Sequence, residues 1–162
     1  MSDKIIYEPI GIIHSPFESA EGMPIQPAGG EDFAGHVEIF DPFAPGLKDL
    51  EGFSHIFLIY HFHNSKGYSL LTKPFLDETL RGVFSTRSPK RPNPVGISVV
   101  RLISVEKNIL HIQDLDILDG TPLIDIKPFV SDIDNRAESA RGWLDDKAVR
   151  FRVKRSDDRF RE

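Results

Sequence analysis

The chain contains no cysteine in its 162 residues. This absence excludes disulfides, thiolate metal ligands and thiol nucleophiles, so any chemistry must use other side chains. No apolar run approaches the roughly 20 residues that a membrane-spanning helix needs, and the first residues lack the basic and apolar segments of a signal peptide. We therefore expect a cytoplasmic protein that has no membrane partner.

Several common functional motifs are missing as well. The chain has no GxGxxG or GxxxxGK[ST] loop for nucleotides, no GxSxG of hydrolases and no HExxH of zinc proteases. Its formal net charge of -5 also removes the basic field that many nucleic-acid-binding proteins carry over the whole molecule. Binding to RNA would therefore need a local basic patch.

Short apolar runs separated by turns indicate mainly β structure, since the chain has 12 glycines, 12 prolines and few windows of helical period. We predict one domain over 1–162, a small antiparallel β-barrel with minor helices, in which 131–162 extends the barrel. Residues 55–62 are nearly all apolar, which is typical of a central strand that is buried on both faces or lines a closed barrel. The predicted strands are 5–13, 35–40, 55–62, 82–86, 97–103, 110–118, 123–130 and 147–154. A helical turn is expected at 47–50, a short helix or an excursion within 65–79, and a short helix at 138–144.

The segment 81–98 has the strongest chemical character. Three prolines lie within six positions, Pro89, Pro92 and Pro94, and they stiffen an irregular loop between two predicted strands. Five basic residues and no acid lie between 81 and 101, namely Arg81, Arg87, Lys90, Arg91 and Arg101. A rigid loop that presents guanidinium groups suits an anionic or carboxylate-bearing ligand. The alternative is a stiff surface loop with solvated arginines.

Three other segments carry polar groups that could serve a site. His61 and His63 are two residues apart at the end of the predicted central strand, so they would share a face beside Asn64. They could bind a metal or act as a base, but no third ligand is in place and we predict no metal site. The loop 19–30 is either functional or a connector. The turn 119–122 either holds a ligand with its backbone N–H groups or closes a hairpin.

Taken together, five segments resemble one family, the TsaA-like or TrmO-like proteins. They are IGIIHSPF (10–17), GMPIQ (22–26), LKDLEGFSHIFLIYHFH (47–63), GVFSTRSPKRPNPVGIS (82–98) and LDILDGTPLIDIKPFV (115–130). The pattern RSPxRPNPxGxS followed by DxLDGTPxxDxKP is highly specific. The family consists of S-adenosylmethionine-dependent tRNA methyltransferases built on a small β-barrel, so the resemblance implies the same fold and cofactor here.

The resemblance also implies a reaction and partners. The expected reaction is methylation of N6 of threonylcarbamoyladenosine next to the tRNA anticodon, by a homodimer with the cofactor near the subunit interface. Bacterial members carry an additional C-terminal domain, whereas this chain ends soon after the predicted barrel. Two arrangements are therefore open: either Trp143 and four basic residues contact RNA in its place, or tRNA binds across a dimer. The four are Arg150, Arg152, Lys154 and Arg155.

Carried over residue by residue, the resemblance implies a cofactor site. Its residues would be Pro24, Ile25, Gln26, His63, Asn64, Arg91, Asp119, Gly120, Thr121 and Pro122, with Arg87 as a further contact. The chemistry of the cofactor fits this set, because Arg87 or Arg91 can bind its carboxylate and the amide side chains can bind the purine edge.

The acceptor nitrogen belongs to a urea-like group, so a base that removes its proton would help transfer. The candidates are His61, His63 and Asp125, of which His63 and Asp125 are our predicted catalytic residues. Two alternatives to the tRNA enzyme stay open. One is methyl transfer to a small molecule or protein, and the other is a non-catalytic module that senses S-adenosylmethionine.

Overall fold

A computed structural model describes residues 3–24, 32–75 and 77–145. The strands are β1 (Gly11–His14), β2 (Gly35–Ile39), β3 (His55–His61), β4 (Leu71–Thr72), β5 (Arg81–Gly82), β6 (Val95–Glu106), β7 (Ile109–Gln113) and β8 (Thr121–Pro128). Six of them close into a barrel in the order β1-β2-β7-β6-β3-β8, and β4 and β5 form a separate two-stranded sheet; neighbouring strands pair antiparallel in both. The predicted antiparallel β-barrel is confirmed.

Apolar side chains from alternate strand residues fill the interior of the barrel. β3 shows this most clearly, since Ile56, Leu58 and Tyr60 are buried while the residues between them keep more accessible surface. β3 lies between β6 and β8. The prediction of a central strand at 55–62 is therefore confirmed. Of the two alternatives, the strand lines a closed barrel.

A bulge in β8 changes which of its side chains face the interior. Tyr60 pairs with Leu123 and Ile59 pairs with Asp125, so Ile124 is an extra residue opposite β3. Leu123 is buried in the core, and after the bulge Ile126 packs against the core in its turn. Asp125 consequently lies on the outer face of the barrel.

Three predicted strands were wrong in extent. The strand predicted at 5–13 begins only at Gly11. The strand predicted at 110–118 ends at Gln113, because Asp114 has a left-handed backbone (φ 68) that breaks the ladder. The segment 82–86 is a two-residue strand followed by a 3-10 turn (Val83–Ser85). The strands predicted at 35–40, 97–103 and 123–130 correspond to β2, β6 and β8.

The helices are short, as predicted, but their positions differ. Two 3-10 helices, Asp41–Leu47 and Leu50–Gly52, replace the helical turn expected at 47–50. Within 65–79 the described residues form β4 and irregular chain, and of the helix predicted at 138–144 only a 3-10 turn (Gly142–Leu144) forms. One α-helical turn, α1 (Ser131–Asp134), was not predicted.

Several predictions concern the C-terminal part of the chain. The predicted strand 147–154 and the four basic residues expected to contact RNA, Arg150, Arg152, Lys154 and Arg155, lie outside the described residues. The single-domain organisation with 131–162 as an extension stays a prediction. In the described ranges, no helix is long and apolar enough to cross a membrane.

Candidate functional site: a cavity at one end of the barrel

A cavity of about 370 Å³ lies at one end of the barrel. The end of β3, the start of β6 and the start of β8 meet there, because antiparallel neighbours place opposite ends side by side. Its lining residues are 18–20, 23, 24, 60, 62–65, 75, 87, 89, 91, 95–97, 116–118 and 121. A cavity of this size, with mixed apolar and polar walls, is suited to a small-molecule ligand.

The cavity collects most of the residues that the sequence assigned to a cofactor site and that the structure describes. Six of these residues line it: Pro24, His63, Asn64, Arg87, Arg91 and Thr121. They come from four separate parts of the chain, so only the closure of the barrel brings them together. Ile25 and Gln26 lie outside the described residues.

The turn 119–122 serves mainly to hold the barrel end. The N–H of Asp119 donates to the carbonyl of Phe17 at 2.8 Å, and the N–H of Gly120 donates to the carbonyl of Ile13 at 2.9 Å. The Asp119 carboxylate accepts from the backbone N–H of Ser15 at 3.0 Å. Of this turn, Thr121 lines the cavity within the described part of the chain, and ligand contacts by Asp119, Gly120 and Pro122 stay predictions.

Thr121 links the turn to His63. Its hydroxyl donates to the carbonyl of Leu118 at 2.7 Å, and its oxygen lies 3.4 Å from Nδ1 of His63. Because the single hydroxyl proton goes to Leu118, the Thr121 oxygen is an acceptor toward a protonated Nδ1. This arrangement favours the tautomer of His63 whose Nε2 is the acceptor.

The proline-rich loop is braced by side chains as well as by its prolines. Arg91 donates through Nη1 to the carbonyls of Thr86 and Ser88, at 3.2 and 3.5 Å. The Ser65 hydroxyl donates to the carbonyl of Pro89 at 3.0 Å. The guanidinium of Arg91 therefore holds the loop in shape, while Arg87 supplies a second positive charge to the cavity wall.

A buried hydrogen-bond chain, which the sequence analysis missed, lies at the cavity. The Ser98 hydroxyl donates to Oδ1 of Asp116 at 2.6 Å and lies 3.0 Å from the Tyr60 hydroxyl. Since the one proton of Ser98 goes to Asp116, Tyr60 donates to Ser98. Tyr60 and Asp116 line the cavity, and Asp116 keeps some accessible surface whereas Ser98 is buried.

The electrostatics of the cavity set the protonation of three groups. Burial raises the pKa of Asp116 to about 7, against the opposing effects of the Ser98 hydrogen bond and the Arg87 charge. Burial and the neighbouring Asp116 raise the pKa of Tyr60 far above its usual value, so its hydroxyl stays protonated. Desolvation, followed by the charge of His61, lowers the pKa of His63, against the opposing charge of Asp119.

The other two proposed bases are placed away from the cavity. Asp125 is on the outer face of the barrel, where its carboxylate lies 2.8 Å from Nζ of Lys127. His61 is exposed at the last position of β3, and His63 follows the end of that strand, so the two histidines do not share a strand face. Within the described residues, no cluster of three or more His, Asp or Glu side chains is arranged to hold a metal ion.

The comparison with known families decides the assignment. A model of the tRNA-methyltransferase O N-terminal domain (TrmO) matches residues 12–135. The chain belongs to the TrmO family. The family that the sequence motifs predicted is therefore confirmed.

Relatives in the TrmO family differ in length and in name. A "probable S-adenosyl-L-methionine-binding protein" of Pyrococcus abyssi is 54% identical over 156 residues, which cover 96% of this chain and 85% of the relative. The mouse tRNA (adenine(37)-N6)-methyltransferase is 36% identical over 138 residues, 81% of this chain but only 32% of that protein. The crystal structure of TrmO from Pseudomonas aeruginosa has a TM-score of 0.74 and 36% identity, and the match covers 88% of this chain and 64% of that one.

The polar centre of this TrmO-family cavity has a weak signal in sequence. Asp116 is the one charged residue in the run 115–118, and a regular strand there would point it to the face opposite Leu115. The left-handed Asp114 ends β7, and Asp116 instead meets Ser98 of β6. The only indication in the sequence was a single acidic residue between apolar ones. It does not predict a polar site unless its partner, Ser98, is also known.

The raised pKa of Asp116 predicts a specific dependence of stability on pH. Its pKa is about 7 in the folded chain and about 3.9 in an unfolded one, so between these values only the folded state holds the proton. The free energy of unfolding therefore falls as pH rises through this window. We expect the wild type to lose about 2 kcal/mol relative to Asp116→Asn between about pH 5 and about pH 8, less than the full shift because Asp116 keeps accessible surface.

Urea denaturation at a series of pH values measures this difference directly. The Asp125→Asn variant is the matched control, because Asp125 lies on the outer face beside Lys127. Parallel pH curves for the wild type and Asp116→Asn would show that Asp116 does not titrate in this window.

Proposed function

We propose that this chain binds S-adenosylmethionine in the barrel cavity and methylates tRNA at N6 of threonylcarbamoyladenosine beside the anticodon. One observation carries the proposal: residues from the separate motifs of the family converge on one cavity of about 370 Å³. The names of the P. abyssi and mouse relatives support it, because the first refers to the cofactor and the second to the tRNA reaction.

The groups around the cavity match the parts of the cofactor. Arg87 offers a guanidinium for the carboxylate, and Phe62 and Phe75 offer apolar and aromatic surface for the sulfonium and the adenine. Asn64 and Thr121 supply hydrogen-bonding groups for the purine edge and the amino group. We assign the carboxylate to Arg87 because its positive charge acts on the cavity groups Asp116 and Tyr60. Arg91 holds the loop by donating to the carbonyls of Thr86 and Ser88.

The bound cofactor supplies a methyl group that its sulfonium has already activated. The protein must then hold the acceptor in line, exclude water and receive a proton. The braced loop 86–91 and the rings of Tyr60 and Phe62 provide a preorganised wall for the first two tasks. His63 stays a proposed cofactor contact and a candidate base, whereas Asp125 is not carried further because it lies outside the barrel.

The basic segment gives the tRNA a place to approach. Arg87 and Arg91 line the cavity, and Lys90 lies between them on the same loop. We infer that this loop contacts phosphates near the anticodon, which agrees with the need for a local patch in an acidic chain. Arg81 contributes less, since Nε donates to the Asp77 carboxylate at 2.9 Å and the guanidinium lies 5.3 Å from the Trp143 ring.

We also propose that the chain is a homodimer. Val95 and Ile97 line the cavity while remaining 39% and 49% exposed. Apolar side chains at the mouth of a cavity favour cover by another protein surface. Sedimentation at micromolar concentration should give twice the chain mass, and a monomer at all concentrations would reject this part of the proposal.

Calorimetry tests the cofactor part on its own. We expect one saturable S-adenosylmethionine site per chain. In a separate binding assay, tRNA should bind at low salt and dissociate as the salt concentration rises. The names of the archaeal relatives favour one second candidate, a binding module without catalysis. That alternative predicts the same cofactor binding with no methyl transfer, and absence of cofactor binding would reject both.

A further inference from the structure

Asp116 has no role among the cofactor contacts assigned above, although it lines the cavity. Its carboxylate is fixed by the Ser98 hydroxyl at 2.6 Å, and Ser98 is in turn fixed by Tyr60 at 3.0 Å. An acid held in one orientation at the wall of a reaction cavity is placed for proton transfer. Its accessible surface leaves it within reach of a bound molecule.

We propose that Asp116 is the catalytic residue that accepts the proton of the acceptor nitrogen during methyl transfer. This proposal rests on the proposed function. The nitrogen loses its N–H proton to a carboxylate oxygen of Asp116 and uses an electron pair to form the new N–C bond. The bonding pair of the breaking C–S bond stays on sulfur. The products are a methylated nitrogen, a neutral thioether and a protonated Asp116, so charge and protons balance.

The other ionisable groups around the cavity suit this role less well. Arg87 and Arg91 are cations, and the hydroxyl of Tyr60 stays protonated as a donor to Ser98. Glu18 and His63 also line the cavity, but both are exposed to solvent. Of the ionisable groups that line the cavity in the described part of the chain, Asp116 combines partial burial, a fixed orientation and a pKa near neutrality, where a general base works best.

The hydrogen-bond chain gives the proposal a readout that a purely structural role would not have. The Ser98 hydroxyl lowers the pKa of Asp116 by stabilising its charged form. Removing this hydroxyl in Ser98→Ala should therefore raise the pKa of Asp116 and move the pH midpoint of the methyl-transfer rate upward. At high pH, where Asp116 is deprotonated in both proteins, the rate should fall little. Ser98 is a positioning residue in this scheme, because it acts only through Asp116.

The experiment compares wild type, Asp116→Asn, Ser98→Ala and the control Asp125→Asn. Single-turnover transfer to tRNA that carries threonylcarbamoyladenosine should fall roughly a hundredfold or more in Asp116→Asn, while Asp125→Asn matches wild type. Calorimetric affinity for S-adenosylmethionine should change less than about threefold, because the missing function is proton acceptance. In the cofactor-free wild type, carboxyl NMR should show one aspartate that titrates near neutral pH and is absent in Asp116→Asn.

Each outcome separates this proposal from the proposed function. No transfer by wild type would overturn both, whereas transfer by wild type and by Asp116→Asn at similar rates would overturn only the proposal. A loss of cofactor affinity as large as the loss of rate would make Asp116 a binding residue and also overturn it. An unshifted pH midpoint in an active Ser98→Ala variant would contradict the proposed proton acceptor.

Discussion

Gly96→Ala is expected to lower the free energy of unfolding by about 3 kcal/mol, at the upper end of the usual cost of overpacking. Gly96 of β6 pairs directly with Tyr60 of β3. A β-carbon at Gly96 would overlap the Tyr60 ring and come within 2.8 Å of the Phe62 ring, closer than ordinary van der Waals contact. The two rings already pack edge to face with centroids 5.5 Å apart, so neither can move freely.

The same substitution should weaken cofactor binding, because Tyr60, Phe62 and Gly96 all line the cavity. Gly82→Ala is the matched control, since a β-carbon there meets no atom within 4 Å and its φ of -60° suits any residue. Urea denaturation and calorimetry measure the two effects. Equal stability of the two alanine variants would show that the rings of Tyr60 and Phe62 do not pack tightly against Gly96.

Arg87→Gln is expected to weaken S-adenosylmethionine binding on the order of tenfold to a hundredfold, the range for a lost hydrogen bond between charged groups. Arg87 lines the cavity, and its charge lowers the pKa of both Asp116 and Tyr60. The substitution should therefore have a second effect. It should raise the pKa of Asp116 further and move the pH midpoint of turnover upward.

Arg101→Gln provides the control for Arg87→Gln. Arg101 belongs to the same basic segment but is exposed on β6, where its guanidinium lies 3.3 Å from the Asp114 carboxylate. Removing this surface charge should leave the calorimetric affinity unchanged. If both variants lost affinity equally, the effect would come from general electrostatics, and Arg87 would not be a direct ligand.

The sequence predicted the barrel well because strands with one inner face leave a clear pattern. β2, β3 and β6 alternate buried and more exposed residues along runs of apolar and β-branched side chains, and such patterns survive in any closed sheet. The alternating pattern does not reveal local irregularities of the backbone, such as a left-handed residue or a bulge. The left-handed Asp114 ends β7 early, and the extra residue Ile124 turns Asp125 outward.

The candidate site was predictable only where a motif marked it. Arg87, Arg91, His63 and Asn64 came from the resemblance and meet at the cavity. The chain from Tyr60 through Ser98 to Asp116 joins residues that are 38 and 18 positions apart, so no local spacing reveals it. For the turn 119–122 the sequence left two roles open, ligand binding or closing a hairpin, and the structure shows the backbone N–H groups of Asp119 and Gly120 bound to other parts of the barrel.

Transfer of labelled methyl from S-adenosylmethionine to total tRNA tests the central claim most directly. Two tRNA pools are needed, one from cells that make threonylcarbamoyladenosine and one from cells that lack it. We predict label in the first pool only, located by nucleoside analysis on threonylcarbamoyladenosine and reduced in Arg87→Gln. No label in either pool, with cofactor binding intact by calorimetry, would contradict the enzymatic account and leave a cofactor-binding protein.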